Sequence, residues 1–142
     1  MAKQSKIQIR DPAATKARIL AASEQEFARF GLGGARVDRI ATRAKSNKRM
    51  LYHYFGNKDE LFAITVENAY AQFREAEAAL NLDSMAPVAA MRRLVEFIWD
   101  YFIEHPEFIT LVNRENLHKA RHLKASKRTT DMSRKFVARM QA

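Results

Sequence analysis

An all-α fold is what these 142 residues predict, and three observations carry it. The chain has only 4 Gly and 3 Pro, while Ala, Leu, Glu, Arg and Lys, which enter helices at little cost, are plentiful. Apolar residues recur at steps of three and four along several stretches, and none alternates with polar residues long enough for a strand. Helix-start and helix-stop residues divide the chain into segments of helical length. The expected architecture is a helix-turn-helix three-helix domain over residues 11–57, joined by a long helix to a second helical domain over 58–142, with a flexible basic arm at 1–10.

Asp11-Pro12 is a helix start, an N-cap followed by Pro at the first helical position. The first helix is expected to reach about Phe30, burying Ile19, Ala22, Phe27 and Phe30, and to stop at Gly31. Thr15, Lys16 and Arg18 stand near its start. The arm before it, Met1–Arg10, suits a DNA groove and equally suits a solvated tail.

Val37–Phe55 reads as two short helices and a tight turn. Val37, Ile40, Ala41 and Ala44 fall at i, i+3, i+4, i+7 and make one apolar stripe. Lys45-Ser46-Asn47 break the pattern, and Asn47 can cap the next helix by accepting from a free amide. In that helix Leu51 and Phe55 point inward, leaving Lys48, Arg49, Tyr52 and His53 outside. Such a pair of helices is the arrangement whose second helix enters a DNA major groove.

Gly56-Asn57 ends this unit. A long helix is expected from Lys58 to about Leu80, with Phe62, Val66, Ala69, Phe73, Ala76 and Leu80 on one face. Lys58 sits at its start, where free amides and the helix dipole attract a phosphate. Asn81–Ser84 is a linker, and Pro87 opens a helix with Met91, Leu94, Val95, Ile98, Tyr101 and Phe102 as its stripe. His105-Pro106 breaks it, because the residue before Pro resists the helical region. Phe108, Leu111, Val112 and Glu115 mark the face after it. Ser126–Ala142 is a final helix candidate, with Met132, Phe136 and Met140 at i, i+4, i+8.

The net charge of +9 is unevenly placed. Residues 1–58 hold 13 Lys/Arg against 4 Asp/Glu, residues 59–113 hold 3 against 10, and residues 114–142 hold 9 against 2. A basic segment built around a helix-turn-helix is the footprint of a phosphate-backbone binder. The absence of Cys excludes a disulfide framework and a Cys-based zinc site. No apolar run approaches about 18 residues and the N-terminus has no signal-peptide core, so a soluble, cytoplasmic protein is expected.

The residues Ile40, Ala41, Ala44, Lys48, Leu51, Tyr52, His53, Tyr54, Phe55, Lys58, Leu61 and Phe62, read as IA–RA–SNKRMLYHYFGNKDELF, resemble the DNA-binding segment of the TetR family of bacterial repressors. Arg36 stands where that family has a small hydroxyl N-cap, and Lys45-Ser46 where it has Gly and an apolar residue. The resemblance implies that Lys48, Arg49, Met50 and Tyr52 face the major groove. Arg49 would read a guanine edge and Met50 a thymine methyl. It makes Thr42, Arg43, Asn47, Tyr52, His53 and Lys58 phosphate candidates. A second run, DYFIEHPEF…ENLH, over about Pro87–Leu123, resembles the regulatory domain of a subgroup that includes regulators of the RutR type.

From the resemblance follows a homodimeric, ligand-responsive transcriptional repressor with two partners, a double-stranded DNA operator and a small-molecule effector. Tyr70, Phe73, Trp99, Tyr101 and Phe102 are the ligand-pocket candidates, though core packing explains most of these aromatics equally well. Family members continue for two more long helices that make the dimer, and the sequence stops before them. The 142-residue form is therefore expected to dimerise poorly or by an unusual surface, leaving Val95 or Leu111 exposed. No nucleophile stands beside a base and no Gly-rich phosphate loop occurs, so no enzyme, catalytic residue or cofactor is expected. Glu115, His118 and His122 share a helical face without a metalloprotease pattern, and no metal site is assigned. The alternatives are a non-specific basic DNA-binding fragment and a helical protein-interaction module.

Overall fold

The Asp11 carboxylate accepts from the Ala13 amide at 3.0 Å, and Pro12 opens α1, Pro12–Gly34. In this computed structural model residues 11–117 are described, together with positions 131, 134, 138 and 141. The arm 1–10, His118, His122, and Met132, Phe136 and Met140 lie outside the described residues. After α1 come α2 (Val37–Arg43), α3 (Lys48–Phe55), α4 (Lys58–Ala78), a 3-10 turn (Leu82–Ser84), α5 (Pro87–Glu104) and α6 (Pro106–Leu117). Among the described residues there is no strand, and no helix is long and apolar enough to cross a membrane.

Gly31 breaks α1 where expected, at φ +69°, a left-handed backbone that favours glycine. α4 ends two residues before the predicted Leu80, and Asn81 turns the chain at φ +52°. Asn57 and Glu60 close a capping box at the start of α4, each side chain accepting from the other's amide at 2.9 Å.

One continuous core runs through the molecule. Ile19 and Phe27 of α1, Ile40 of α2, Leu51 of α3 and Phe62 and Val66 of α4 are almost wholly buried within it. Phe27 and Phe62 meet edge to face at 5.0 Å, so α4 is anchored in the same core as the helix-turn-helix. The core continues through Phe73 to Tyr101, Phe108 and Leu111.

Several expected core positions are placed otherwise. Phe30 is exposed on one side and carries the Arg39 guanidinium over its ring at 4.2 Å. Met91, Val95 and Trp99 face outward, because α5 docks through Leu94, Phe97, Ile98 and Tyr101. Leu111, expected to be left exposed, is fully buried between helices. Glu26, Glu77 and Glu115 are buried as well. Arg39 Nε donates to Glu26 at 2.6 Å and Arg74 Nη1 to Glu77 at 3.1 Å.

Candidate nucleic-acid interface

The α2 stripe is buried as its spacing predicts, at Val37, Ile40, Ala41 and Ala44. Its end forms a Schellman motif: the Ser46 amide donates to Ala41 O at 2.9 Å and the Lys45 amide to Thr42 O at 3.1 Å. Lys45 holds the left-handed position, φ +52°, that glycine fills at lower cost. Arg18 of α1 reaches across and donates to Ala44 O at 3.2 Å, tying α1 to the turn.

Asn47 then caps α3, its side chain accepting from the Met50 amide at 2.9 Å. Leu51 and Phe55 lock the inner face of α3 into the core. Lys48, Arg49, Tyr52 and His53 are exposed and Met50 is half-buried. Arg49 makes no hydrogen bond or ion pair among the described residues, so its guanidinium is available to a ligand. The His53 ring lies 5.3 Å from Tyr54, over whose own ring Lys16 of α1 places its ammonium at 5.3 Å.

The other candidates have partners inside the protein. The Thr42 hydroxyl donates to Asp38 O at 3.0 Å, which still leaves its oxygen able to accept. Arg43 is turned back toward α1, where Nη1 meets Ala22 O at 3.5 Å. Lys58 Nζ donates to Gly33 O at 3.4 Å, so this lysine reaches the C-terminal end of α1. The capping box uses the Asn57 and Glu60 amides, which leaves fewer free amides at that helix start than its sequence suggested.

Asp38 was not among the expected site residues. Its carboxylate is 3.1 Å from Lys48 Nζ, bridging α2 and α3, and 3.5 Å from Arg36. The Lys48 hydrogen bond first, and the Lys48 charge second, hold this carboxyl below its usual range. The available signal was its isolation, since it is the one acidic residue between Glu26 and Asp59.

Four of the five ligand-pocket candidates come together in a packed aromatic cluster, and Trp99 does not. Phe73 is the hub of a packed aromatic cluster, stacked on Phe108 at 5.2 Å and edge-on to Tyr101 at 5.0 Å. Phe102 and Tyr70 lie at its margin, each with its ring 6.5 Å from Phe73. Trp99 stands apart from this cluster, 69% exposed on the outer face of α5.

The α2–α3 geometry has counterparts in known proteins. A family model described as "Bacterial regulatory proteins, tetR family" matches residues 19–64, and one described as "Tetracyclin repressor-like, C-terminal domain" matches residues 87–142. The HTH-type transcriptional repressor NicS of Pseudomonas putida is 46% identical over 123 residues, which cover 87% of this chain and 58% of NicS. The HTH-type transcriptional regulator RutR of Escherichia coli strain K12 is 29% identical over 104 residues, covering 73% of this chain and 49% of RutR. The chain thus spans about half the length of these relatives. A solved TetR-like transcriptional regulator from Rhodococcus sp. RHA1 superposes with a TM-score of 0.66 at 25% identity, covering 83% of this chain and 73% of that one. Matched by two models of one family that together span most of its length, the chain belongs to the TetR family of bacterial regulatory proteins.

Proposed function

We propose that this chain is the DNA-reading part of a transcriptional repressor that binds its operator as a homodimer and leaves it when a small-molecule effector binds. The observation that carries the reading is the division of α3. Leu51 and Phe55 fix it in the core, while Arg49, Tyr52 and His53 are presented outward. Arg49 and the half-buried Met50 are the base-reading residues in this proposal. Lys48, Tyr52, His53, Thr42 and Lys58 contact the DNA backbone or the groove edge. Asn47 acts through its cap, by setting where α3 begins, and Arg43 acts through its hold on α1. The effector would enter among the helices that carry Tyr70, Phe73, Tyr101 and Phe102, loosening the cluster around Phe73.

Fluorescence anisotropy tests the DNA reading. The protein should prefer a duplex recovered by in-vitro selection over a mixed-sequence duplex, and equal affinity for both would reduce it to a non-specific basic fragment. Arg49→Ala should erase about 1–3 kcal/mol of that preference. Lys58→Ala should weaken both duplexes alike and lower the salt slope by roughly one.

A further inference from the structure

Asp38 is an anomaly in a surface otherwise built of cations. From Phe27 to Lys58 it is the one carboxylate in the sequence, and it sits where α2 and α3 meet. Stability is a weak reason for its presence. Its pairs with Lys48 and Arg36 join side chains that are all more than half exposed, and ion pairs of that kind contribute little. In the first turn of α2 its carboxylate also suits the positive end of the helix dipole, a contribution that is small at an exposed, screened site.

We infer that Asp38 is a specificity-determining residue of the α2–α3 surface, which restrains Lys48 and makes non-cognate DNA a poor ligand. The inference rests on the DNA-reading function proposed above. On any duplex, Lys48 is drawn toward phosphate, and a carboxylate left beside the backbone then meets like charge. A cognate site can answer this in two ways. It can offer a cytosine amino group, which donates to an Asp in the major groove, or a base acceptor to Lys48 while the Asp38 pair stays closed. A random sequence offers neither and bears the repulsion. Selectivity is then gained by penalising wrong partners, at some cost in affinity.

Asp38→Asn tests this with little risk to folding, since the side chain is exposed and the replacement nearly isosteric. Binding of the full chain to an end-labelled mixed-sequence duplex and to a selected duplex would be followed across a salt series. For the variant, mixed-sequence binding should tighten by roughly tenfold at low salt, and the salt slope should steepen. The preference for the selected duplex should fall, while the melting temperature stays as in the wild type. Lys48→Ala should cancel most of the gain in a double-mutant cycle, which a merely structural role for Asp38 would not produce. If wild type binds selectively and Asp38→Asn binds mixed DNA no tighter, this inference is overturned alone. If wild type binds no duplex, the DNA-reading function fails and takes the inference with it.

Discussion

Lys45 shows how one residue can sit against its own preference. It occupies the left-handed position of a Schellman motif at φ +52°, with both motif hydrogen bonds made around it. The tertiary contacts of α2 and α3 hold it there, at a backbone cost on the order of 1 kcal/mol for a residue bearing a Cβ. Lys45→Gly should therefore raise stability in urea by about 0.5–1 kcal/mol, since relief of strain exceeds the added freedom of the unfolded chain. An unchanged or lower midpoint would show that the turn is unstrained. Arg39 is the contrasting residue, fully used: it pairs with buried Glu26, donates to Gly34 O at 3.2 Å and covers the Phe30 ring. That triple role explains why Phe30 tolerates exposure.

At the scale of elements, the joint between α1 and α6 is the tightest link between the helix-turn-helix and the later helices. α1 breaks at Gly31, so the carbonyls of its last turn lack helical partners. Arg114 of α6 supplies them, with Nε donating to Ala28 O at 2.7 Å and Nη2 to Arg29 O at 2.9 Å. A Cβ at position 31 would come within 2.9 Å of Arg114 Nη1, the far end of a side chain that can shift aside, so it is the backbone at φ +69° that favours glycine there. Bonds from a charged donor to buried carbonyls contribute about 1.5–3 kcal/mol each, and partial exposure reduces that. Arg114→Ala should cost about 2–3 kcal/mol in chemical denaturation and speed amide exchange at the end of α1. A loss under about 0.5 kcal/mol, the range of neutral surface changes, would remove Arg114 from this role.

Across the whole molecule, charge and burial meet where α1, α5 and α6 converge. The Glu24 carboxyl is raised above its ordinary 4.5, first by desolvation and then by the Glu107 charge, with His105 opposing. Tyr101 beside it is raised by burial and by Glu24, and its ring stacks on His105 at 4.0 Å. A carboxyl raised in the folded state destabilises the fold when ionised and is without effect when protonated. The penalty therefore stands at neutral pH, shrinks as pH falls through the raised value, and is gone below about 4.5, the unfolded value. Glu24→Gln should raise the melting temperature at neutral pH, with the gain fading under acid conditions. A gain that persists unchanged below that value would assign it to packing instead. Among the described residues, the outer face of α5 exposes Val88, Met91, Val95, Trp99 and Ile103 together.

What the sequence determined by itself is local. The Asp11-Pro12 start, the Gly31 break, the Asn47 cap and the inward Leu51–Phe55 pair all depend on neighbours within one or two turns, where periodicity and capping act. The outward set Lys48, Arg49, Tyr52 and His53 followed from the same rule, which is why the reading face was legible before any packing was known. Tertiary structure decided what depends on distant partners. α5 is apolar on two flanks, and only docking against Phe73 and Phe108 left Met91 and Val95 of its predicted stripe outside while burying Leu94 and Tyr101. Glu26 is buried because Arg39, 13 residues on, meets it there. Asp38 found Lys48 across a turn, and Arg114 found Ala28 O from 86 residues away. Long-range pairs of this kind leave no period in the chain, because their energy arises only when the fold has brought both groups together and taken water away.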